Sequence, residues 1–380
     1  MKTKLLIDSI SLLSNLTGIG RYTNEIAKHL EKDDQLSVSY FYGYYSKKRL
    51  EPGKNSEMKS IKAVLSCNPL LKKIARKVLI LVSKLFAPMF DLYWSPNFIP
   101  LDGIKASKIV TTVHDFSFYI YPQWHPQERL DYFNKYFFKN VKRSDWIITG
   151  SEFSKNEILE YLKFPKDKIT VIYHGVDHEL YKVYDSSNLE VTKLKFELTD
   201  LFILFVGSIE PRKNLLNLLK AYHLLSSEIK DSYPLVLVGF KGWENKEIMK
   251  EIDKEKEHVR YLGYVSDEEL AHVYNLATLF VYPSLYEGFG IPPLEAMACG
   301  TAVISSSVAS LPEACGDAAL YINPLDIEDI SKKIKFLLHD AKERDELILK
   351  GLERVKSFTW EKSAKEHLKV FEAVLNKGEK

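Results

Sequence analysis

Short apolar runs alternate with helix-like patterns along almost the whole of this chain, and this alternation limits the folds it can adopt. It is typical of βαβ units, which build parallel sheets with helices on both faces. In the first half, strands are predicted at 4–8, 38–42, 91–94, 109–113, 146–149 and 169–173, and helices at 20–30, 70–86, 127–141 and 155–162. In the second half, strands are predicted at 202–206, 234–238, 259–261, 279–281 and 302–305. The sequence therefore predicts an α/β protein with two Rossmann-like, doubly wound domains.

The length of the chain agrees with two domains. Its 380 residues exceed the roughly 250–300 at which a single core usually divides. The join is predicted at the His-Gly-Val-Asp motif (174–177), whose side chains we expect to fix interdomain geometry, because the sequence after it is polar and aperiodic. We assign 1–175 to an N-terminal domain, 176–195 to a linker, 196–358 to a C-terminal domain and 359–380 to a C-terminal helix that packs back on the first domain.

Composition excludes several classes of protein. With 46% hydrophobic and 27% charged residues, the chain is neither disordered nor fibrous. Its three cysteines are far apart and form no Cys-x-x-Cys pair, which indicates reduced thiols. Asp8 interrupts the first apolar stretch, so we expect no secretion signal, and the best apolar run, 78–82, is far shorter than the roughly 20 residues that span a bilayer. We expect a cytoplasmic protein with no nucleic-acid partner.

Charge is unevenly divided between the two halves. Residues 1–176 contain 27 Lys/Arg and 17 Asp/Glu, a net charge of +10, whereas the remainder contain 26 and 34, a net charge of −8. The predicted helix at 70–86 has an apolar face and five cations without an acid. Such a helix fits peripheral contact with an anionic membrane surface, although an ordinary surface helix has a similar pattern. The basic half is thus predicted to face an anionic partner.

The strongest chemical signal is the segment 287–295, Glu-Gly-Phe-Gly-Ile-Pro-Pro-Leu-Glu, which follows a predicted strand. Its glycines let the backbone approach a ligand, and its prolines suit a loop that enters a helix, whose first N–H groups favour an anion. We predict that Glu287 is a catalytic residue that holds sugar hydroxyls, and that Glu295 accepts hydrogen bonds from ribose. The alternative is a solvated Glu287 and a Glu295 that complements its helix dipole. The residues of the segment that we predict to bind a nucleotide-sugar donor are Gly288, Phe289, Gly290, Ile291 and Glu295.

A second signal is the segment 205–214, Phe-Val-Gly-Ser-Ile-Glu-Pro-Arg-Lys-Asn, in which a strand leads through a glycine turn into a helix. At the carboxyl edge of a parallel sheet, Arg212 and Lys213 are predicted to bind a diphosphate, Arg212 in a bidentate manner. Pro-Arg-Lys alone is also a common exposed turn. Its place after a strand, in the same half as the two glutamates, favours the donor site.

The first half supplies candidates for the acceptor side of a cleft. Gly18 and Gly20 lie in a turn between the first strand and helix, where they would line a ligand, although an ordinary βα turn explains them equally well. His114 follows a strand and is predicted to be catalytic; otherwise it caps the strand or bonds a nearby loop. Ser151 is predicted to cap the next helix and to face the cleft.

With these motifs the chain resembles the GT-B glycosyltransferases of family 4, which act in bacterial polysaccharide assembly. The most specific shared element is the pair Glu287 and Glu295, supported by Pro-Arg-Lys and His-Gly-Val-Asp. The resemblance implies donor binding in the second domain, acceptor binding in the first and retention of anomeric configuration. It also implies that Glu287 and the histidine at 114 contact the transferred sugar, and that Arg212 and Lys213 contact the diphosphate. Many members have an arginine where this chain has Ser208, so Arg212 is expected to take over that role.

These residues lead to a specific hypothesis about the reaction. The Glu-Pro-Arg-Lys-Asn spacing resembles the mannosyltransferase branch, so we expect GDP-mannose as donor, with its base bound near Tyr264 and Val265, and a glycan or polyprenyl-diphosphate-linked acceptor, as in O-antigen synthesis. No Asp-x-Asp occurs, so neither a metal nor a cofactor is expected. The alternatives are a UDP- or dTDP-sugar donor, a sugar-nucleotide epimerase, and a non-catalytic nucleotide-sugar-binding subunit.

Overall fold

The computed structural model describes residues 2–13, 18–50, 88–243 and 245–376. The predicted cationic helix at 70–86 lies outside these residues. So do Thr17, which precedes the turn with Gly18 and Gly20, and Cys67, one of the three cysteines. The strands are β1 (Thr3–Asp8), β2 (Leu36–Phe41), β3 (Tyr45–Ser46), β4 (Met89–Ser95), β5 (Lys105–Thr112), β6 (Trp146–Thr149), β7 (Ile169–Val171), β8 (Ile203–Val206), β9 (Leu235–Val238), β10 (Val259–Gly263), β11 (Leu279–Tyr282), β12 (Ala302–Ser306) and β13 (Ala319–Ile322).

Two sheets organise the molecule. The first has the order β3-β2-β1-β4-β5-β6-β7 and the second the order β10-β9-β8-β11-β12-β13. All neighbouring strands are parallel except β2 and β3. The strand order reverses between β1 and β4 in the first sheet and between β8 and β11 in the second, and ligands of such folds bind beside the carboxyl ends of the strands at that point. The predicted pair of doubly wound α/β units is confirmed.

Helices cover both sheets. They are α1 (Gly18–Leu30), α2 (Ser117–Ile120), α3 (Gln127–Val141), α4 (Glu152–Glu157, continued as a π-turn over Ile158–Leu162), α5 (Ser186–Lys195), α6 (Leu215–His223), α7 (Ser227–Ser232), α8 (Lys246–Lys254), α9 (Asp267–Leu276), α10 (Ile291–Ala298), α11 (Leu311–Cys315), α12 (Ile327–His339), α13 (Ala341–Val355) and α14 (Trp360–Asn376). Short 3₁₀ turns lie at Ile10–Leu13, Pro122–Trp124, Lys166–Lys168 and Pro211–Lys213. None of the described helices is long and apolar enough to cross a bilayer.

Three elements differ from the sequence prediction. The edge strand β3 has only two residues, too few for a recognisable pattern, and the four-residue edge strand β13 was not predicted. Helix α5 occupies much of the segment predicted to be a linker, so its polar sequence was misread. The reason is that α5 buries only Leu189 and Thr192, whereas Val191 and Leu194 point outward and are 74% and 68% exposed. This inverted pattern removes the helical period from the sequence.

The C-terminal helix α14 crosses back to the first sheet, as predicted. Its Trp360 and Phe371 are buried in one cluster with residues of β1 and β4. Where the chain crosses between the halves, a β-bridge joins Val176 to Thr359. A Cβ on Gly175 would lie 2.2 Å from the backbone nitrogen of Trp360, so only glycine fits there. The two crossing segments therefore pack backbone against backbone, which fixes the path of the chain between the sheets.

Candidate active site

Glu287 lies after β11, at the point where the strand order of the second sheet reverses, and it is buried. Its carboxylate accepts four hydrogen bonds: Oε1 from Lys213 Nζ at 2.6 Å, Ser284 Oγ at 2.6 Å and Tyr282 Oη at 2.8 Å, and Oε2 from Arg212 at 2.7 Å. These donors come from the loop after β8, from the end of β11 and from the loop that follows β11. The carboxylate is therefore held in one orientation, and Oε2, with a single partner among the described residues, retains room to accept from a ligand.

The charge of Glu287 is set by its two cations. Burial alone raises the pKa of Glu287, but Arg212 and Lys213 outweigh that effect and bring it to about 2. Burial and the neighbouring Arg212 lower the pKa of Lys213 below its usual range. For Arg212, burial opposes the charge, but Glu287 and Glu210 raise the pKa above its ordinary value. Glu287 is therefore an anion throughout the physiological range.

Arg212 and Lys213 lie beside Glu287 as the sequence spacing indicated, but they already have protein partners. Arg212 donates to Glu210 at 3.0 Å and to the Tyr286 carbonyl at 3.0 Å, in addition to Glu287. Lys213 lies with its ammonium 5.1 Å from the ring centre of Tyr282. The contact of Arg212 and Lys213 with a diphosphate stays a prediction. It would use the N–H groups of these two side chains that do not donate to the protein partners named here.

Glu295 lies on α10, where burial raises the pKa of its carboxyl while Arg21 opposes that shift. Oε1 accepts from Arg21 at 2.7 Å, and Oε2 accepts from Tyr274 Oη at 3.3 Å. Arg21 also donates to Asp267 at 2.5 Å and to Tyr181 Oη at 3.0 Å. Sequence reasoning missed this arginine, although it directly follows the Gly18–Gly20 motif. An arginine one residue after a cleft glycine was the available signal.

Glycine is required at positions 288 and 290 for different structural reasons. A Cβ on Gly288 would lie 2.1 Å from the carbonyl oxygen of His114, so the close approach of this loop is to the first half of the protein. Gly290 precedes α10 with φ of 105°, in the left-handed region, and a Cβ there would meet Leu311 at 2.5 Å. Because α10 starts Ile-Pro-Pro, two of its first three residues have no N–H. The predicted anion site at this helix start therefore has fewer donors than an ordinary helix.

Three predicted donor residues turn their side chains into protein. Phe289 is buried, with its ring 5.1 Å from His174 and 5.9 Å from Phe358. Ile291 packs against the cores of both halves. Val265 is buried between β10 and α9, whereas its neighbour Tyr264 is exposed. Any contact of Phe289 or Val265 with a donor would therefore come from the backbone.

His114 lies at the carboxyl end of the first sheet, between the rings of Tyr22 and Phe98. Its Nε2 lies 2.8 Å from the Pro96 carbonyl oxygen. Because a carbonyl only accepts, Nε2 carries the proton, and Nδ1 is left as an acceptor. Burial lowers the pKa of His114, so the ring is neutral at physiological pH. It can therefore accept a hydrogen bond from a sugar hydroxyl through Nδ1.

The remaining cleft residues of the first half occupy two helix starts. Gly18 and Gly20 lie in the first turn of α1, and a Cβ on Gly18 would have no atom of the described residues within 4 Å. Ser151 caps α4 by accepting from the Ser154 amide at 3.1 Å, as predicted. It also donates to the Gly288 carbonyl at 2.7 Å, across the boundary between the halves. Gly18 thus faces open space, whereas Ser151 holds the loop that follows Glu287.

The hinge motif contributes packing. His174 is buried beside Tyr22, and its Nδ1 has no hydrogen-bond partner among the described residues. Burial holds its pKa well below the ordinary value, so it is neutral. Asp177 accepts from the amides of Glu179 and Leu180 and so closes a turn. No group of three or more potential metal ligands occurs within the described part of the chain.

Comparisons with known proteins match both halves of the chain to glycosyltransferases. The family model Glycosyltransferase Family 4 matches residues 16–180, and the model Glycosyl transferases group 1 matches 186–354. The O-antigen chain mannosyltransferase B of Escherichia coli is 35% identical over 362 residues, which cover 91% of this chain and 93% of that protein. The O-antigen chain mannosyltransferase RfbU of Salmonella typhimurium is 34% identical over 226 residues, 59% of each chain.

Solved structures share the fold. A sucrose-phosphate synthase from Thermosynechococcus elongatus has a TM-score of 0.70 at 18% identity, covering 99% of this chain and all of that one. WaaG, a glycosyltransferase involved in lipopolysaccharide biosynthesis, has a TM-score of 0.70 at 14% identity, covering 96% of this chain and 98% of that one. Such similarity shows that the fold of both halves is shared.

Proposed function

The chain belongs to the family 4 glycosyltransferases, which have the GT-B fold, and we propose that it is a retaining mannosyltransferase using GDP-mannose. Its acceptor in this proposal is a glycan or lipid-linked oligosaccharide of O-antigen synthesis. The O-antigen mannosyltransferases among its relatives support the choice of sugar. The observation that carries the catalytic part is the buried Glu287, whose loop lies directly against His114 of the opposite half.

The electrostatics of the site suit departure of a nucleoside diphosphate. Arg212 and Lys213 form a neutral cluster with Glu287 and Glu210 before the donor enters. When the glycosidic bond breaks, negative charge develops on the leaving diphosphate, and a preorganised pair of cations, Lys213 buried and Arg212 partly buried, stabilises it more strongly than water would. In this proposal the cations need no metal ion to assist them. Activity should therefore survive a chelator such as EDTA.

Retention is proposed to result from attack on the face that the leaving group vacates. A double displacement would need a nucleophilic side chain beside the anomeric carbon. Glu287 is poorly suited, because four hydrogen bonds and a pKa of about 2 reduce the basicity of its carboxylate. Its suitable role is to accept a sugar hydroxyl at Oε2, while His114 accepts another at Nδ1. The two acceptors would hold the sugar as it becomes oxocarbenium-like.

A membrane-held acceptor is the remaining part of the proposal. The net charge of +10 on residues 1–176 and the cationic pattern at 70–86 suit a polyprenyl-diphosphate substrate at an anionic surface. Sedimentation with vesicles of anionic lipid, compared with vesicles of neutral lipid, tests this. Equal sedimentation with the two would remove the membrane from the proposal.

The donor is tested by incubating the purified protein with GDP-, UDP- and dTDP-sugars and a synthetic lipid-diphosphate glycan, without added metal. We expect acceptor-dependent release of GDP from GDP-mannose. Release from a UDP- or dTDP-sugar would change the donor and keep the reaction class. Recovery of an epimerised donor would favour the epimerase, and binding without turnover would favour a non-catalytic subunit.

A further inference from the structure

Arg21 belongs to the first half of the protein, but its hydrogen-bond partners belong to the second half and to the segment that leads into it. The side chain projects from the first turn of α1. Its two terminal nitrogens reach Asp267 at the start of α9, Glu295 in α10 and the hydroxyl of Tyr181. These partners lie 160 to 274 residues away in sequence. One guanidinium thus joins three separate segments across the cleft.

The three charged side chains at this contact differ in how much of each is exposed. The side chain of Glu295 is only 6% exposed, that of Arg21 is 20% exposed, and that of Asp267 is 42% exposed. The second half supplies Glu295 with the neutral hydroxyl of Tyr274, at 3.3 Å from Oε2. The cation that balances Glu295 therefore comes from the first half. A buried carboxylate that loses its only cation is strongly unfavourable.

This arrangement makes closure of the cleft depend on Arg21. Were the halves to separate, Glu295 would keep Tyr274 but lose the guanidinium, so the ion pair between Glu295 and Arg21 favours the closed form. Glu295 is also the residue that the sequence predicts to accept hydrogen bonds from the ribose of the donor. The same carboxylate would then be used for nucleoside binding and for closure.

We propose that Arg21 is a positioning residue that couples closure of the two halves to the nucleoside end of the donor site, by bridging Glu295 and Asp267 across the cleft. This inference rests on the proposed function for the role of Glu295, whereas the effect on closure stands on the observed contacts alone. Arg21 acts through Glu295 and touches no reacting atom. Its loss should accordingly lower turnover more than it lowers nucleotide affinity.

The test uses Arg21→Ala, Arg21→Lys and Asp267→Asn in the full chain. Arg143→Ala is the matched control, because Arg143 pairs with Asp102 within the first half, where both side chains are more than a third exposed. Distances between spin labels on Lys139→Cys and Lys332→Cys, two exposed positions in opposite halves, report closure without any nucleotide. Titration with GDP reports affinity, and transfer at saturating donor reports kcat.

For Arg21→Ala we expect a broader, longer distance distribution and a kcat lower by about 10- to 100-fold, the factor of the charge-assisted hydrogen bond to the buried Glu295, since the pair with the exposed Asp267 contributes little. The dissociation constant for GDP should stay within about threefold of the wild-type value. Arg21→Lys should be intermediate, since an ammonium lacks the planar fork that spans two carboxylates. Asp267→Asn should weaken closure less than Arg21→Ala does, because the pair with Glu295 survives.

Two results would overturn the inference. One is an Arg21→Ala protein with unchanged distances between the labels. The other is a large loss of GDP affinity with an unchanged kcat, which would make Arg21 an ordinary contact to the donor. If the wild-type protein neither binds GDP nor transfers sugar, the proposed function fails, but the distances measured without nucleotide still decide whether Arg21 holds the halves together.

Discussion

The buried carboxylate of Glu287 receives four hydrogen bonds, and its charge is balanced by the buried Lys213 and by Arg212, whose side chain is 18% exposed. Removing one member of such a cluster leaves the others with charge that water does not reach. Because its pKa is depressed to about 2, the charged form of Glu287 contributes stability above the ordinary carboxyl value of 4.5. That contribution should be lost as the pH falls from 4.5 through about 2.

Replacing Glu287 by Gln tests the catalytic role. The amide keeps the shape but removes the anion and one acceptor oxygen, so we expect kcat to fall by about 10²–10³. Transfer at saturating donor measures this, with thermal unfolding as a check on the fold. Glu361→Gln is the control, since Glu361 pairs with Lys365 on an exposed helix face and should be without effect. A Glu287→Gln protein with normal kcat would remove Glu287 from the mechanism.

A pH prediction concerns Glu157 in α4, which accepts from Tyr286 Oη at 2.6 Å across the cleft. Burial, assisted by Asp115, raises its pKa from 4.5 to about 8. The folded protein therefore holds a proton that the unfolded chain releases, and its stability should decline as the pH rises from 4.5 through about 8. Glu157→Gln should remove that decline, so that the variant gains in unfolding temperature at about pH 9 relative to about pH 5. Parallel pH profiles for wild type and variant would contradict the buried, protonated carboxyl.

At the scale of elements, the loop between β11 and α10 fits against the carboxyl end of the first sheet. Tyr286 accepts from the Phe116 amide at 2.9 Å, and the Gly288 carbonyl accepts from Ser151. The loop thus contacts the first half through the Tyr286 hydroxyl and the Gly288 carbonyl, while the side chain of Glu287 stays with its partners in the second half. The position of the Glu287 carboxylate, the proposed catalytic group, depends on how closely the loop approaches His114.

Gly288→Ala tests that dependence. The new Cβ would be 2.1 Å from the His114 carbonyl oxygen, a distance that backbone atoms cannot accept, so the loop must move away. A displacement of about 1 Å in a reacting group can cost roughly 10²-fold in rate. We expect kcat to fall by about that factor, while circular dichroism shows an intact fold. Wild-type turnover in this variant would show that closure at Gly288 is not needed.

Helix α4 has an unusual partner at its start. Glu313 in α11 accepts from the amides of Glu152 at 2.7 Å and Phe153 at 3.2 Å, so a carboxylate of the second half caps a helix of the first. Such a contact is worth about 1 kcal/mol. Glu313→Ala should speed hydrogen exchange at these two amides roughly fivefold. Glu328→Ala, in the first turn of α12, is the control and should leave their exchange unchanged. Unchanged exchange in Glu313→Ala would mean that this cap does not form in solution.

At the scale of the whole molecule, local patterns predict the elements better than the contacts between halves. Central strands such as β8 and β11 are buried on both faces, so they occur in the sequence as plain apolar runs. The positions of the motifs also predicted that Arg212 and Glu287 lie at the same edge of the sheet, because both follow strands. These strands, β8 and β11, are neighbours at the reversal of strand order. The motifs could not show that the cation pairs with the carboxylate before any donor binds.

Contacts across the cleft were not predictable from one sequence. The pair between Arg21 and Glu295 joins positions 274 residues apart, and no periodicity encodes such a distance. The sequence predicted that the backbone at Gly288 approaches a ligand. A glycine in a loop, however, indicates only that another group comes close and does not identify that group. The structure shows that the backbone of His114 comes close. The contacts between the halves therefore identify the partners of Arg21 and Gly288, which the sequence motifs do not.

The most direct test of this account is transfer itself. Wild-type protein and Glu287→Gln are each mixed with GDP-mannose and a lipid-diphosphate glycan, and the acceptor is analysed by mass spectrometry. We predict an acceptor heavier by one hexose with the wild-type protein and a yield lower by about 10²–10³ with the variant. An unmodified acceptor with every sugar nucleotide tried, or equal yields from the two proteins, would contradict a glycosyl transfer centred on Glu287.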